Sequence, residues 1–257
     1  MEVKRRDQSE EPDPGSLDAM AVDLLPRDRI RNPRKPTRME TMAELAVGTV
    51  LLGLAAIAGL VFIHRPWPDR LDVWGDRLFP ADLSSRWAHF FVTLGSMWAL
   101  IAGVFLVFVI GLRRDRVRAI ACAIAPVMAV LIVQEIAKPL VDRHNLLSSG
   151  LSYPSGTVTA VAALATALTL VMPAKARFPW AVLGLLAIAG TGAAVVVLRW
   201  HYPTDALGGA AVGVGAVLVV DALLHIPGVV AEMIGSAHPG TRVGNRPTAA
   251  SQQRWCT

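Results

Sequence analysis

The sequence predicts an all-α membrane protein, a bundle of six transmembrane helices with both termini in the cytoplasm. Hydrophobic residues make up 53% of the 257 residues and charged residues only 18%, a composition too apolar for an ordinary soluble domain. Long runs with almost no ionisable side chain alternate with short basic connectors. This alternation is typical of spans of about 20 residues that cross a hydrocarbon core about 30 Å thick.

Six apolar runs define the predicted spans: 45–63, 87–112, 119–137, 156–172, 180–198 and 205–224. Together they form one membrane domain over residues 43–226. Residues 1–42 are predicted to be a disordered basic cytoplasmic tail and 227–257 a flexible cytoplasmic tail, because proline, glycine and polar residues are interspersed through both. The first apolar run follows about forty polar residues, so no cleavable signal peptide is expected.

The distribution of lysine and arginine predicts the orientation of the bundle. The two tails and the second and fourth connectors hold 18 of these residues, and the other three connectors hold 7. The side richer in lysine and arginine stays in the cytoplasm. The third and fifth connectors are therefore expected on the extracytoplasmic face, in a protein of the plasma membrane.

Two short segments in those connectors are the best candidates for a functional site. In the first, 153–157, Ser155 and Gly156 open an apolar helix whose free N–H groups could hold an anion. In the second, 199–205, His201 precedes Asp205 by four residues, a spacing that can place both on one helical face. Together the segments predict a phosphate site at a membrane surface.

Simpler explanations exist for single residues of these segments. His201 lies between Trp200 and Tyr202, as expected of an aromatic belt at a membrane interface. Lys138 could be a lysine that reaches from the end of a span to the interface, and Arg199 could be an interfacial anchor. Clustered metal-binding side chains are absent from the sequence pattern, so neither a metal nor another cofactor is expected, and nothing indicates a nucleic-acid partner.

Over residues 45–225 the chain resembles the type 2 phosphatidic acid phosphatases, six-span membrane enzymes that act on lipid phosphates and diphosphates. Three motifs carry the resemblance. Lys138 matches the lysine of the family's Lys-x6-Arg-Pro motif. Pro154, Ser155 and Gly156 match Pro-Ser-Gly-His, and His201 and Asp205 match the end of Ser-Arg-x5-His-x3-Asp.

Three positions of these motifs carry other residues in this chain. Asn145 stands where the family has the arginine of the first motif, although Arg143 lies two positions earlier. Thr157 replaces the histidine of the second motif, and Val195 replaces the arginine of the third.

The resemblance implies a role for each matching residue and for its neighbours. His201 would be the nucleophile that forms a phosphohistidine, and Asp205 would orient it. The phosphate would be held by a set of side chains and backbone N–H groups: Lys138, Arg143, Ser155, Gly156, Thr157 and Arg199.

The resulting hypothesis is an enzyme, a lipid phosphatase that acts on a polyprenyl diphosphate of cell-wall synthesis or on a related phosphorylated lipid. Its expected partners are that substrate and the membrane lipids, whereas the sequence does not give an oligomeric state. The alternatives are a relative that binds phosphorylated lipid without turnover, a small transporter and a purely structural membrane protein. The transporter is disfavoured because charged residues are almost absent from the span centres.

Thr157 underlies the expected preference for diphosphates. The family's histidine at this position protonates the leaving group, which threonine cannot do efficiently near neutral pH. A departing phosphate needs no such proton, because its relevant pKa is only about 6. His144, Arg199 or a water would have to supply the proton for a monoester substrate.

Overall fold

The computed structural model describes residues 36–63, 65, 67–144 and 150–236, and this part of the chain is helical, without β-strands. Helix α1 spans Arg38–Phe62 and α2 spans Arg70–Leu78. Helices α3, Arg86–Thr93, and α4, Met97–Leu112, form a bent pair with an angle of 50°. The predicted all-α class is confirmed for the described residues.

The remaining helices contain the two candidate segments. Helix α5 spans Arg116–Ile132 and continues through a π-helical turn, Val133–Ala137, into the short α6, Lys138–Val141. Helix α7 spans Gly156–Val171, α8 spans Ala174–Val197 and α9 spans Pro203–Ser236.

Four of these helices are long and apolar enough to cross a membrane: α1, the continuous α5–α6 helix, α8 and α9. The bent pair α3–α4 supplies a fifth candidate if it is one span, and α7 is a shorter apolar helix of 16 residues. The structure thus supports a membrane protein with four to five candidate spans. The sixth span and the orientation stay predictions.

Two helices extend beyond the predicted boundaries of the membrane domain. Helix α1 begins at Arg38, inside the segment predicted as a tail, because Thr37 and Glu40 form a capping box. Helix α9 continues to Ser236, past the predicted boundary at residue 226. Most of the predicted tails, residues 1–35 and 237–257, lies outside the described residues.

Glycines allow the helices at the centre of the bundle to pack closely. A Cβ added at Gly209 would collide with the carbonyl of Ser155, and one at Gly213 would collide with that of Thr159. Helix α9 therefore lies backbone to backbone against α7. Gly209 and Gly213 are four residues apart, a Gly-x3-Gly spacing that allows such close packing of helices.

Candidate active site

His201 is held just beyond the end of α8. The N–H groups of Arg199 and Trp200 donate to the carbonyls of Val196 and Val195, at 2.9 Å each, in the pattern of a Schellman motif. Arg199 takes the left-handed conformation that this motif requires, with φ 59°. The imidazole of His201 is therefore presented from a tight turn between α8 and α9.

Asp205 lies in the first turn of α9 and is completely buried. Its Oδ2 accepts a hydrogen bond of 2.9 Å from the N–H of Tyr202, and the same oxygen lies 3.9 Å from His201 Nδ1. That distance is longer than a hydrogen bond. Among the described residues Nδ1 has no hydrogen-bond partner, so a small movement of the ring toward Asp205 would form the hydrogen bond.

Burial is the main cause that lowers the pKa of His201 to about 4, and the positive charge of Lys138 adds to it. The imidazole is therefore neutral at pH 7. A neutral imidazole keeps the lone pair that a nucleophile needs.

Arg143 lies at the centre of a buried ion network. One terminal nitrogen, Nη1, donates to Asp205 Oδ1 at 2.7 Å and to Thr204 Oγ1 at 2.8 Å, and the other, Nη2, donates to Asp72 Oδ2 at 2.6 Å. The guanidinium is fully buried and lies over the rings of Phe62 and Tyr202, 4.1 and 4.7 Å from their centroids. We predicted a phosphate ligand here, whereas both terminal nitrogens contact protein oxygens.

The N-terminus of α7 meets Asp205 through the backbone. The N–H of Ser155 donates to the carbonyl of Asp205 at 3.0 Å, and no side chain of the described residues caps the helix. The buried hydroxyl of Ser155 has no hydrogen-bond partner among the described residues. An uncapped helix N-terminus with an unused hydroxyl is a suitable place for an anion.

Lys138 follows the π-helical turn at the end of α5. Such single π turns inside α-helices are frequent at functional sites. Gln134, within this turn, packs against Gly156, so the turn contacts the start of α7 directly. The half-buried Lys138 lies close enough to His201 to lower its pKa.

Arg199, the last of the predicted phosphate ligands, forms an ion pair with α2. Its Nη1 lies 2.7 Å from Asp76 Oδ2, and both side chains remain partly exposed. Of the predicted site residues, His201, Asp205, Ser155 and Arg143 are thus linked at one end of the bundle. Arg199 instead forms its ion pair with α2, the helix of the first connector.

A family model described as the PAP2 superfamily matches residues 134–225. This match agrees with the resemblance to the type 2 phosphatidic acid phosphatases that the sequence motifs indicate. Comparison of the chain with curated proteins and with solved structures finds no match. The matched segment contains every residue that we predicted for the site, from Lys138 to Asp205.

Three residues differ from the family's motifs, and the structure shows the surroundings of two of them, Val195 and Thr157. The third, Asn145, lies outside the described residues. Val195 is fully buried in an apolar cluster with Val92 and Val158, and its carbonyl accepts the hydrogen bonds that shape the turn before His201. Thr157 packs against Gly95 at the bend between α3 and α4, and a Cβ added at Gly95 would collide with Thr157.

Sequence reasoning missed Asp72 and Thr204, which complete the ion network around Arg143 and Asp205. Asp72 Oδ1 accepts from both the N–H and the hydroxyl of Thr204, at 3.0 and 2.7 Å. Thr204 could have been suspected from its place beside Asp205. In the sequence, Asp72 stands three residues after Asp69, the spacing of a capping box at the start of a helix. This local pattern gives no sign of a contact with residue 204.

Proposed function

We propose that the protein is a lipid phosphatase of the plasma membrane, with its active site on the extracytoplasmic face, that hydrolyses a polyprenyl diphosphate, or a related phosphorylated lipid, through a phosphohistidine. The match to the PAP2 superfamily and the apolar helices support the coarser statement, a membrane phosphatase for phosphorylated lipids. The observation that carries the mechanism is His201. It is neutral at pH 7, it faces Asp205 at 3.9 Å, and it lies close to Lys138, while Asp205 contacts Ser155 at the start of α7.

In the proposed first step, an imidazole nitrogen of His201 attacks phosphorus while the bond between phosphorus and the leaving oxygen breaks. The ring becomes positively charged, and Asp205 stabilises that charge from the Nδ1 side. In the second step, water attacks the phosphohistidine, the phosphorus–nitrogen bond breaks, and inorganic phosphate leaves. Cleavage of that bond restores the neutral imidazole, and the attacking water gives up one proton to solvent, so that phosphate leaves as the hydrogen phosphate ion.

The phosphate oxygens are held, in this proposal, by Lys138, the hydroxyl of Ser155 and the N–H groups of Gly156 and Thr157. Fixed donors of this kind stabilise the charge that develops in phosphoryl transfer. Lys138 forms no ion pair among the described residues, so its charge is available to the substrate. In this proposal Arg143, which donates to Asp205 through Nη1, acts on Asp205 rather than on the phosphate.

Binding without turnover is the second candidate, and one observation favours it. The charge of Arg143 is shared by Asp72 and Asp205, and Arg199 pairs with Asp76. Fewer positive charges than in the family's motif set then face the phosphate, which weakens stabilisation of the transition state.

Phosphate release separates the two candidates. Purified protein in detergent is mixed with a panel of prenyl diphosphates, prenyl monophosphates and phosphatidic acid. We expect release, fastest from the diphosphates, and an acid-labile phosphoenzyme after rapid quenching. Tight binding of the same lipids with no release from any of them would establish a binding protein instead.

The preference for diphosphates is tested by restoring a proton donor. Thr157→His should raise the rate with monophosphates by at least about tenfold and leave the diphosphate rate nearly unchanged. An equal change with both substrates would show that residue 157 does not set the leaving-group preference.

The proposed extracytoplasmic location is tested by labelling single cysteines. In a chain with Cys122 and Cys256 replaced, a cysteine at position 148 should react from outside the cell and one at position 251 only from inside. The reverse pattern would place the site in the cytoplasm.

A further inference from the structure

Helix α2, in the first connector, contacts the segment that carries His201 through one of its faces. The face consists of Asp72, Gly75 and Asp76, which lie within one helical turn. A Cβ added at Gly75 would lie 2.6 Å from Cγ of Pro203, so the helix backbone approaches the start of α9 closely. Residues 70–78 lie outside the segment that matches the PAP2 superfamily.

This face holds the segment 199–205 on both sides of His201. Before the histidine, Asp76 pairs with Arg199 at 2.7 Å. After it, Asp72 accepts both hydrogen bonds of Thr204, and it is fully buried. The turn that presents His201 is therefore fixed from outside as well as by its own backbone.

Asp72 also determines how Arg143 can contact Asp205. A guanidinium beside a single carboxylate commonly binds both of its oxygens. Here Asp72 takes Nη2 of Arg143 at 2.6 Å, so that only Nη1 reaches Asp205, at Oδ1. Oδ2 of Asp205 is left to the N–H of Tyr202 and to the side facing His201 Nδ1.

We propose that Asp72 is a positioning residue for phosphoryl transfer: by holding one arm of Arg143, it keeps Asp205 Oδ2 available to orient His201. The inference rests on the proposed function, because orientation matters only if His201 is the nucleophile. With residue 72 neutral, Arg143 turns toward Asp205 and binds both of its oxygens. His201 then loses the carboxylate that keeps its proton on Nδ1.

The kinetic test is Asp72→Asn, with Asp69→Asn as the matched control. Asp69 caps the same helix by accepting from the N–H of Asp72 at 2.9 Å, and asparagine is an equally good cap. We expect the rate of phosphoenzyme formation to fall about 10- to 100-fold in Asp72→Asn, with KM and the phosphoenzyme amplitude unchanged. Asp69→Asn should behave as the wild type. A lower amplitude with an unchanged rate constant would mean that Asp72 serves only folding.

A second measurement tests the role of Asp72 without measuring turnover. In protein labelled with ¹⁵N-histidine, and with the His201 signal assigned by its loss in His201→Gln, the nitrogen shifts report which ring nitrogen carries the proton. We expect the Nδ1–H form in the wild type and in Asp69→Asn, and a mixture with the Nε2–H form in Asp72→Asn. The same form in all three proteins would overturn the inference, whereas a wild type that hydrolyses no lipid would overturn the proposed function.

Thr204→Val is the alternative test of this role if Asp72→Asn yields too little folded protein. This variant keeps both charges but removes the hydroxyl that lies between Asp72 and Arg143. We expect a smaller change of the same kind, both in phosphoenzyme formation and in the proton position. A folded Thr204→Val with wild-type values of both would also overturn the inference.

Discussion

Two buried ion networks, at opposite ends of the bundle, contain the same kinds of side chain but differ in what they leave unpaired. At one end Arg143 joins Asp72 and Asp205 beside His201. At the other, Arg118 binds both oxygens of Asp221, with Nη2 at 2.7 Å from Oδ2, beside His225. Asp205 and Asp221 are 16 residues apart on α9, about 24 Å along the helix.

The two histidines show the difference. Both nitrogens of His225 have partners: Nδ1 lies 2.7 Å from the carbonyl of Asp221, and Nε2 lies 3.3 Å from Asp115 Oδ2. Nδ1 of His201 has none within hydrogen-bond distance among the described residues. The ring of His225 is fully bonded and fixed as a structural group, whereas Nδ1 of His201 is left to pair with Asp205, as the proposed mechanism requires.

Unpaired buried atoms are concentrated at the His201 end. Nδ1 of His201, Oγ of Ser155 and Nε of Arg143 lack hydrogen-bond partners among the described residues, whereas the other network contributes only Oε2 of Glu44. Buried polar groups are nearly always bonded in folded proteins, so each exception requires an explanation. A phosphorylated substrate would supply the missing partner for Ser155.

Replacing each histidine in turn should give the largest contrast. His201→Ala should lower the rate of phosphate release by at least about 10³-fold, because the nucleophile is gone. His225→Ala should leave the rate per folded molecule within a few-fold and cost about 1–3 kcal/mol of stability. Both are measured on detergent-purified protein, by phosphate release and by thermal unfolding. Equal losses of activity would remove the distinction between the two networks.

Arg118→Ala should have the next largest effect, on stability. The variant leaves the fully buried Asp221 without its charged partner, which costs about 3–5 kcal/mol when a buried pair is broken. The expected result is a large fall in unfolding temperature. The rate of phosphate release per folded molecule should be retained, because Arg118, at the start of α5, contacts α9 at the opposite end of the bundle from His201. Arg118→Ala with wild-type stability would show that this network is not a structural one.

Asp205→Asn should have a smaller effect than loss of the nucleophile. Asparagine can still accept the hydrogen bond from Tyr202, so α9 keeps its first turn, but it no longer stabilises a charged imidazole. We expect turnover to fall about 10- to 100-fold with KM little changed. The matched variant Asp221→Asn should lower stability and leave turnover per folded molecule intact. A wild-type rate in Asp205→Asn would remove Asp205 from the mechanism.

Sequence patterns predicted the helices and the motif residues of the site, but not the contacts that join the site to the rest of the chain. His201 and Asp205 were found because four-residue spacing is a property of one helix. The contact of Arg143 with Asp72 joins residues 71 positions apart, and no local period encodes such a pair. The bend at Gly95 was missed for the same reason, since it reflects packing on Thr157 rather than a break in hydropathy.

The smallest expected effect is a change in the pH at which His201 takes up a proton. Burial and the charge of Lys138 hold its pKa at about 4, below the usual 6.5, so the ring is neutral above about pH 5 and the nucleophile is lost as the pH falls through 4. Lys138→Met removes the nearby positive charge but leaves the imidazole buried, so the pKa of His201 should rise by less than about one unit.

Turnover alone cannot test this change in pKa, because a phosphorylated substrate also takes up a proton over this pH range, with a second pKa of about 6. The ¹⁵N shifts of His201 in the free protein measure the titration directly, and Lys175→Met, which removes a lysine at the other end of the bundle, is the control. If the pKa of His201 is unchanged in Lys138→Met, then Lys138 lies too far from the imidazole to share a phosphate with it, and the positive charge at the site must come from elsewhere.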